Sequence, residues 1–200
     1  MSIGTCRLDE LADIKLGVKT FLNPFFYVEK DRIKTHGIEP RFLEPVFRTS
    51  DAKRDRFIQE SSDCELRIFK CDTAVDKLKG TGAAAYINWG AKQRHKPKHD
   101  EPGGYWKDTP AVDPDDRIWY QNQAMPPAAR IVLLKAFDEY FSPLILDKPV
   151  RVDQRFNQVN AKPGVNEDVL IGLLCSMWFV MLCETFGATS MGQGALEVRT

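Results

Sequence analysis

Between Trp89 and Tyr120 the chain sets cations, aromatic rings and flexible turns side by side. Lys92, Arg94, Lys96 and Lys98 occur within seven residues without an acid, and His95 and His99 are interleaved with them. Trp89 precedes this cluster, and Tyr105, Trp106, Trp119 and Tyr120 follow it. Ammonium and guanidinium groups pair with phosphates, and flat rings stack on bases or sugars, so this composition suits a surface that meets nucleic acid. The whole chain balances 28 basic against 28 acidic residues, so the cluster is a local departure from neutrality. Such a pattern points to a directed contact surface and not to general polyanion binding. The same residues also read as a solvated loop whose rings belong to the core.

Other residues with chemical potential lead less far. Asn23-Pro24-Phe25-Phe26 resembles the Asn-Pro-Pro-aromatic loop of adenine methyltransferases, in which an amide and a carbonyl hold the amino group of a flipped base. Here Phe25 replaces the second proline, and only 22 residues precede Asn23, short of a cofactor-binding strand and glycine-rich turn. A turn leading into a buried aromatic strand is the favoured reading. Gly80-Thr81-Gly82 lacks the frame of a phosphate-binding loop and reads as a helix terminator. His36, His95 and His99 lie in polar stretches, and no Ser-His-Asp or Cys-His set can be assigned, so no catalytic residue is named. The five cysteines are odd in number and form no CxxC pair, which suits reduced structural thiols and supplies no metal site.

The elements that would position these groups follow from periodicity. Two hundred residues, 43% hydrophobic and 28% charged, suit an ordinary globular protein. The longest apolar run, Val169 to Cys183, is short of a membrane span, and no secretory signal is visible, so a cytoplasmic protein with no membrane partner is expected. Leu22–Val28, Cys64–Phe69, Ile118–Asn122, Arg130–Ala136, Leu144–Leu146 and Val150–Val159 read as strands. Asp72–Lys79 reads as a short helix, and Ala83–Trp89 as its continuation or a new one. Asn166 to Phe186 reads as one helix, capped by Asn166, closed by Gly187 and apolar all round, hence buried on most sides. The expected fold is α+β: a twisted, mostly antiparallel sheet with short helices and one long buried helix near the C-terminus.

Several segments, in order, are similar to the target recognition domain of adenine-specific DNA methyltransferases from restriction–modification systems. They are Leu8–Val28 (LDELADIKLGVKTFLNPFFYV), Ile38–Arg54 (IEPRFLEPVFRTSDAKR), Tyr86–Gly90, Trp119-Tyr120, Ala128–Phe137, Leu170–Gly187 and Gly192–Val198. Phe21 departs from the pattern, which often has a glycine after the threonine. The resemblance implies a single recognition domain over residues 1–200, part of a larger methyltransferase of the type I or fused restriction–methylation kind. It implies partners in double-stranded DNA and in a catalytic domain or subunit. This chain would need no cofactor and would not be an enzyme alone, while the parent enzyme would use S-adenosylmethionine. Phosphate contacts would then come from Lys92, Arg94, Lys96 and Lys98 and from a second stretch carrying Lys53, Arg54 and Arg56. Trp106 is a candidate ring contact, and Gln93, Arg94, Asn122 and Gln123 are candidates for base readout. Two other readings are a protein–protein interaction module docking on a catalytic subunit, and a small S-adenosylmethionine enzyme built on Asn23-Pro24-Phe25-Phe26.

Overall fold

In a computed structural model of the chain, residues 6–53, 55–96, 103–109, 118–121, 125–137, 143–186 and 196–197 are described. The strands are β1 (Ala12–Leu16), β2 (Tyr27–Val28), β3 (Leu43–Phe47), β4 (Ile58–Gln59), β5 (Leu66–Phe69), β6 (Ala129–Leu134), β7 (Ala136–Phe137), β8 (Leu144–Val152), β9 (Phe156–Ala161) and β10 (Leu196–Glu197). The helices are α1 (Leu8–Leu11), α2 (Asn23–Phe26), α3 (Lys30–His36), α4 (Gly82–Gly90), α5 (Glu167–Leu174) and α6 (Met177–Phe186). The architecture is α+β and the sheet pairing is mixed. The chain divides into two units, Met1–Val18 with Phe47–Asp63 and Pro126–Thr200, and Lys19–Val46 with Cys64–Met125.

In the first unit the strand order is β1-β9-β6-β8, all antiparallel, and β4 runs parallel to β8. Ile14, Val159 and Ile131 lie in register across β1, β9 and β6. Strand β8 is continuous where two strands were expected. The pairing jumps from Ala129↔Val150 to Ile131↔Ile145, so the polar Asp147-Lys148-Pro149 stretch is absorbed as an irregularity within one strand. A bulge suits proline, which has no N–H to give a ladder. The expected strand Val150–Val159 is instead split by a turn, in which the Asp153 carboxylate accepts the Arg155 N–H at 2.9 Å. β7 and β10 form a separate antiparallel pair.

Leu170 and Leu174, one turn apart on α5, pack on Ala12, Ile131, Leu133, Ile145 and Val159. The Asn166 side chain caps α5 as expected, accepting from Asp168 N at 2.9 Å and Val169 N at 3.2 Å. The single long buried helix does not hold. Ser176 interrupts it: its hydroxyl donates to Leu173 O at 2.6 Å and accepts from Phe179 N at 3.3 Å. Side-chain bonds of this kind compete with the helix ladder, and α5 and α6 meet at a 57° bend. Val169, Met177 and Trp178 are 69%, 75% and 74% exposed, so an apolar circumference here does not mean a buried helix. Among the described residues no single helix is long and apolar enough to cross a membrane.

In the second unit β5 lies between β3 and β2, antiparallel to both. The expected strand Leu22–Val28 is mostly the helical turn α2. Pro24 sits in the first turn, where its missing N–H costs nothing, and Leu22 O accepts from Phe25 N and Phe26 N at 3.0 and 3.1 Å. Only Tyr27 and Val28 are extended. Cys64–Phe69 becomes β5, and Asp72–Lys79 contains a single 3-10 turn, Val75–Leu78. The described part of Ile118–Asn122 is a turn closed by Gln121 N donating to Ile118 O at 2.8 Å, not a strand. Asn122 lies outside the described residues.

Candidate nucleic-acid interface

Helix α4 organises the site, and its N-terminus is satisfied from within the chain. The Thr81 hydroxyl accepts from Ala84 N at 3.1 Å, and the Glu39 carboxylate accepts from Gly82 N at 3.2 Å and Ala83 N at 3.1 Å. Burial alone would raise the Glu39 pKa, but hydrogen bonds from its own backbone N–H and from those of Ala83 and Gly82, with the nearby Arg41 charge, outweigh it and hold the carboxyl below its ordinary value. A Cβ on Gly82 would fall 1.9 Å from Gly37 O, so only glycine permits this approach. Gly80-Thr81-Gly82 thus ends one turn and caps the next, with a side-chain carboxylate where a phosphate would have to sit.

Behind α4 the rings form a continuous stack. Phe25 lies parallel to Tyr86, with centroids 4.9 Å apart and 7° between planes, and Tyr86 stacks on Trp89 at 5.4 Å and 16°. Trp106 meets Trp89 edge to face at 5.6 Å, and Trp119 lies 4.5 Å from Phe25. Tyr86 donates to Phe25 O at 2.5 Å, and burial pushes its phenol pKa up to about 12 despite the nearby Arg32. His36, against Tyr86 and Trp89, has its pKa lowered by burial first and by Arg32 second. The Arg32 guanidinium covers Trp89 at 5.0 Å and donates to Pro24 O at 2.6 Å. Trp106 and Tyr120 are buried, at 9% and 3% exposure, so the candidate ring contact Trp106 belongs to this stack.

The described part of the basic segment, residues 91–96, leaves α4 directly as an irregular stretch, in keeping with the expected loop, and is braced by one isolated bridge. Lys92 N donates to Trp89 O at 3.1 Å, and Gln93 N to Gly90 O at 3.0 Å. Arg94 then pairs antiparallel with Tyr105, His95 N donates to Gly104 O at 3.0 Å, and Trp106 N donates to Gln93 O at 3.0 Å. Trp106, which opens a 3-10 turn, is therefore the buried anchor that ties the returning segment to the core. A Cβ on Gly103 would lie 2.0 Å from His95 O, so the close crossing requires glycine there. The His95 ring makes a 2.7 Å bond with the Thr109 hydroxyl.

This frame sorts the candidate residues. Lys92, Arg94 and Lys96 are exposed. Among the described residues no carboxylate lies within ion-pair distance of these three. Gln93 is half-buried and its amide donates to Trp89 O at 3.2 Å, so its side chain serves the bridge. Lys53 and Arg56 belong to the first unit and the bridge to the second. Arg56 is held by Asp63 at 3.2 Å and Glu60 at 3.4 Å. Lys53 is exposed, and both its backbone groups are bound by the buried Gln59 amide, at 2.7 and 2.9 Å. Lys98, Arg54, Asn122 and Gln123 lie outside the described residues.

Asn23-Pro24-Phe25-Phe26 does not present a base-holding loop. The Asn23 side-chain oxygen accepts from the Thr20 hydroxyl, and Phe25 and Phe26 are fully buried. Sequence reasoning missed Arg32, which locks α3 onto Trp89, and Lys107, whose ammonium lies 5.8 Å from the Tyr105 centroid. Neither falls in a motif; only the fold brings them to the rings.

No protein-family model matches this sequence, and no curated protein does. Among solved structures the chain is similar to the type IIG restriction endonuclease BpuSI, with a TM-score of 0.59 and 15% sequence identity. The match covers 96% of this chain and 22% of that one, so the chain spans about a fifth of the enzyme's length. At this identity the likeness is one of fold.

Proposed function

We propose that this chain is the DNA target-recognition domain of an adenine-specific DNA methyltransferase in a restriction–modification system. It positions duplex DNA for a separate catalytic domain or subunit, which binds S-adenosylmethionine. The chain itself takes no cofactor and performs no chemistry. The observation that carries this reading is the segment of Lys92, Arg94 and Lys96: exposed cations without carboxylate partners among the described residues, braced by the isolated Arg94–Tyr105 bridge beside the buried Trp106. Phosphates are the natural partners of cations held in this way. Similarity of fold to part of a restriction endonuclease supports a duplex as the polyanion.

Binding of a fluorescent duplex, followed by anisotropy at several salt concentrations, tests the reading. Log affinity should fall linearly with log salt, by about 0.9 per phosphate contact. Changing Lys92, Arg94 and Lys96 together to Ala should weaken binding and flatten the slope by roughly three contacts. Unchanged affinity and slope would place the contact elsewhere. Calorimetry with S-adenosylmethionine should show no heat of binding; a saturable signal would sink the non-catalytic assignment.

A second reading, docking on a catalytic partner, is favoured by a different observation. Met177, Trp178, Met181 and Leu182 leave an apolar face of α6 exposed. Partner binding that ignores salt and survives loss of the basic bridge would support this reading over the first.

A further inference from the structure

Phe21 is held in the left-handed region, with φ at 56°, although it carries a bulky ring. Its surroundings leave the backbone little choice. Thr20 before it is 2% exposed and gives its hydroxyl to Asn23; Leu22 after it is 1% exposed, and its carbonyl receives the first N–H groups of α2. The ring gains no burial in return, since Phe21 is 53% exposed. The Lys19 ammonium stands 4.4 Å from its centroid. This turn is also tied to the frame of the basic bridge. Pro24 O accepts from Arg32, Arg32 covers Trp89, and Phe25 stacks on Tyr86 of α4.

A strained residue persists only where its neighbours over-determine it, and such residues gather at functional positions. A rigid turn that holds an aromatic ring in solvent beside a cation has the parts of a stacking contact: the ring takes a base face and the cation takes the adjoining phosphate. Because the turn is fixed in advance, little conformational freedom is lost when a base step opens around the ring.

We propose that Phe21 is a wedge that stacks on a base of bound duplex DNA, with Lys19 on the neighbouring phosphate. The inference rests on the DNA-binding reading above and names a contact within it that the basic bridge does not supply.

The full chain is titrated into a fluorescent duplex of mixed sequence as wild type and as Phe21→Gly, Phe21→Asn and Phe21→Trp. Glycine and asparagine both accept a left-handed backbone, so neither should lower the melting temperature. Both should weaken binding on the order of tenfold without changing the salt slope, because a stacked base and not a phosphate is lost. Tryptophan should keep wild-type affinity. Lys19→Ala should instead reduce the salt slope by about one contact. If the folded glycine and asparagine variants bind as tightly as wild type, the wedge is wrong while the DNA reading stands. If wild type shows no salt-dependent duplex binding, both fall together.

Discussion

The Arg94 guanidinium lies over the ring of Tyr105, 3.9 Å from its centroid, and the backbones of the same two residues form an antiparallel bridge. Backbone pairing puts the two side chains opposite one another, and the ring then holds the cation in place. Arg94 Nη1 also reaches Gly103 O at 3.4 Å. Among the described residues no carboxylate lies within ion-pair distance of this cation to compete with phosphate.

Tyr105→Ala should therefore weaken DNA binding through Arg94. An exposed cation–π pair is worth about 0.5–1 kcal/mol, so a loss of roughly two- to fivefold is expected. Arg94→Lys should not restore binding fully, since an ammonium lacks the planar stack. Anisotropy on Arg94→Ala, Tyr105→Ala and the double variant should show non-additive losses; strictly additive losses would mean the stack does not position Arg94.

Gly103→Ala tests the bridge itself. The added methyl meets the His95 carbonyl, so the two crossing segments must separate or shift. Overpacking of this kind costs about 1–3 kcal/mol, readable in urea unfolding, and DNA affinity should fall with it. Alanine at Gly104, where nothing lies within 4 Å of a new Cβ, is the matched control and should change little.

Glu39→Ala should lower stability by about 1 kcal/mol, the usual loss when a helix-capping acceptor is removed. Because the folded pKa of Glu39 lies below its ordinary value, this stabilisation is fully present above that value and is lost as pH falls through the folded pKa. The stability difference between wild type and Glu39→Ala should accordingly shrink in acid. A difference that stays constant down to low pH would rule the carboxylate out as the cap.

Tyr86→Phe keeps the ring stack and removes the donor to Phe25 O, leaving a buried carbonyl unpaired at a cost of about 1–3 kcal/mol. The phenol pKa is raised to about 12, so its contribution holds below the ordinary tyrosine value and fades as pH climbs from there towards 12. Ultraviolet titration should show a phenol ionising near 12 in wild type that is absent from the variant, while Tyr120, whose pKa burial also raises, titrates in both.

The bent helix pair separates burial from hydrophobicity. Leu170→Ala and Leu174→Ala, facing the sheet, should each cost about 2–5 kcal/mol. Met177→Lys and Trp178→Lys, on exposed positions, should stay within about 0.5 kcal/mol of wild type and reduce any self-association at high concentration. A large loss of stability at Met177 or Trp178 would show that this face is covered within the chain.

How much of the molecule was readable varies from element to element, for physical reasons. Strand β5 follows from alternating apolar and polar residues, β6 from an apolar run, and the Asn166 cap from the local chemistry of helix starts; Thr81, read as part of a helix terminator, turned out to cap α4. Leu22–Val28 misled because its aromatic content matches a strand, while Pro24 in a first turn allows the helical alternative. The break at Ser176 was missed because one hydroxyl decides it, inside a run whose composition is otherwise helical.

For the candidate site, the sequence by itself determined that cations and rings occur together between Trp89 and Tyr120, and that the segment contains glycines able to turn it. Only the tertiary structure decided their division of labour. Trp106 and Tyr120 went to the interior, Tyr105 stayed at the surface under Arg94, Arg56 was claimed by Asp63 and Glu60, and Phe21 was left in solvent on a strained turn. Composition and turn chemistry are local and can be read residue by residue. Burial depends on partners distant in sequence, and even the near pairs of Arg56 with Glu60 and Asp63 depend on the backbone conformation between them, which spacing alone does not reveal until the chain folds.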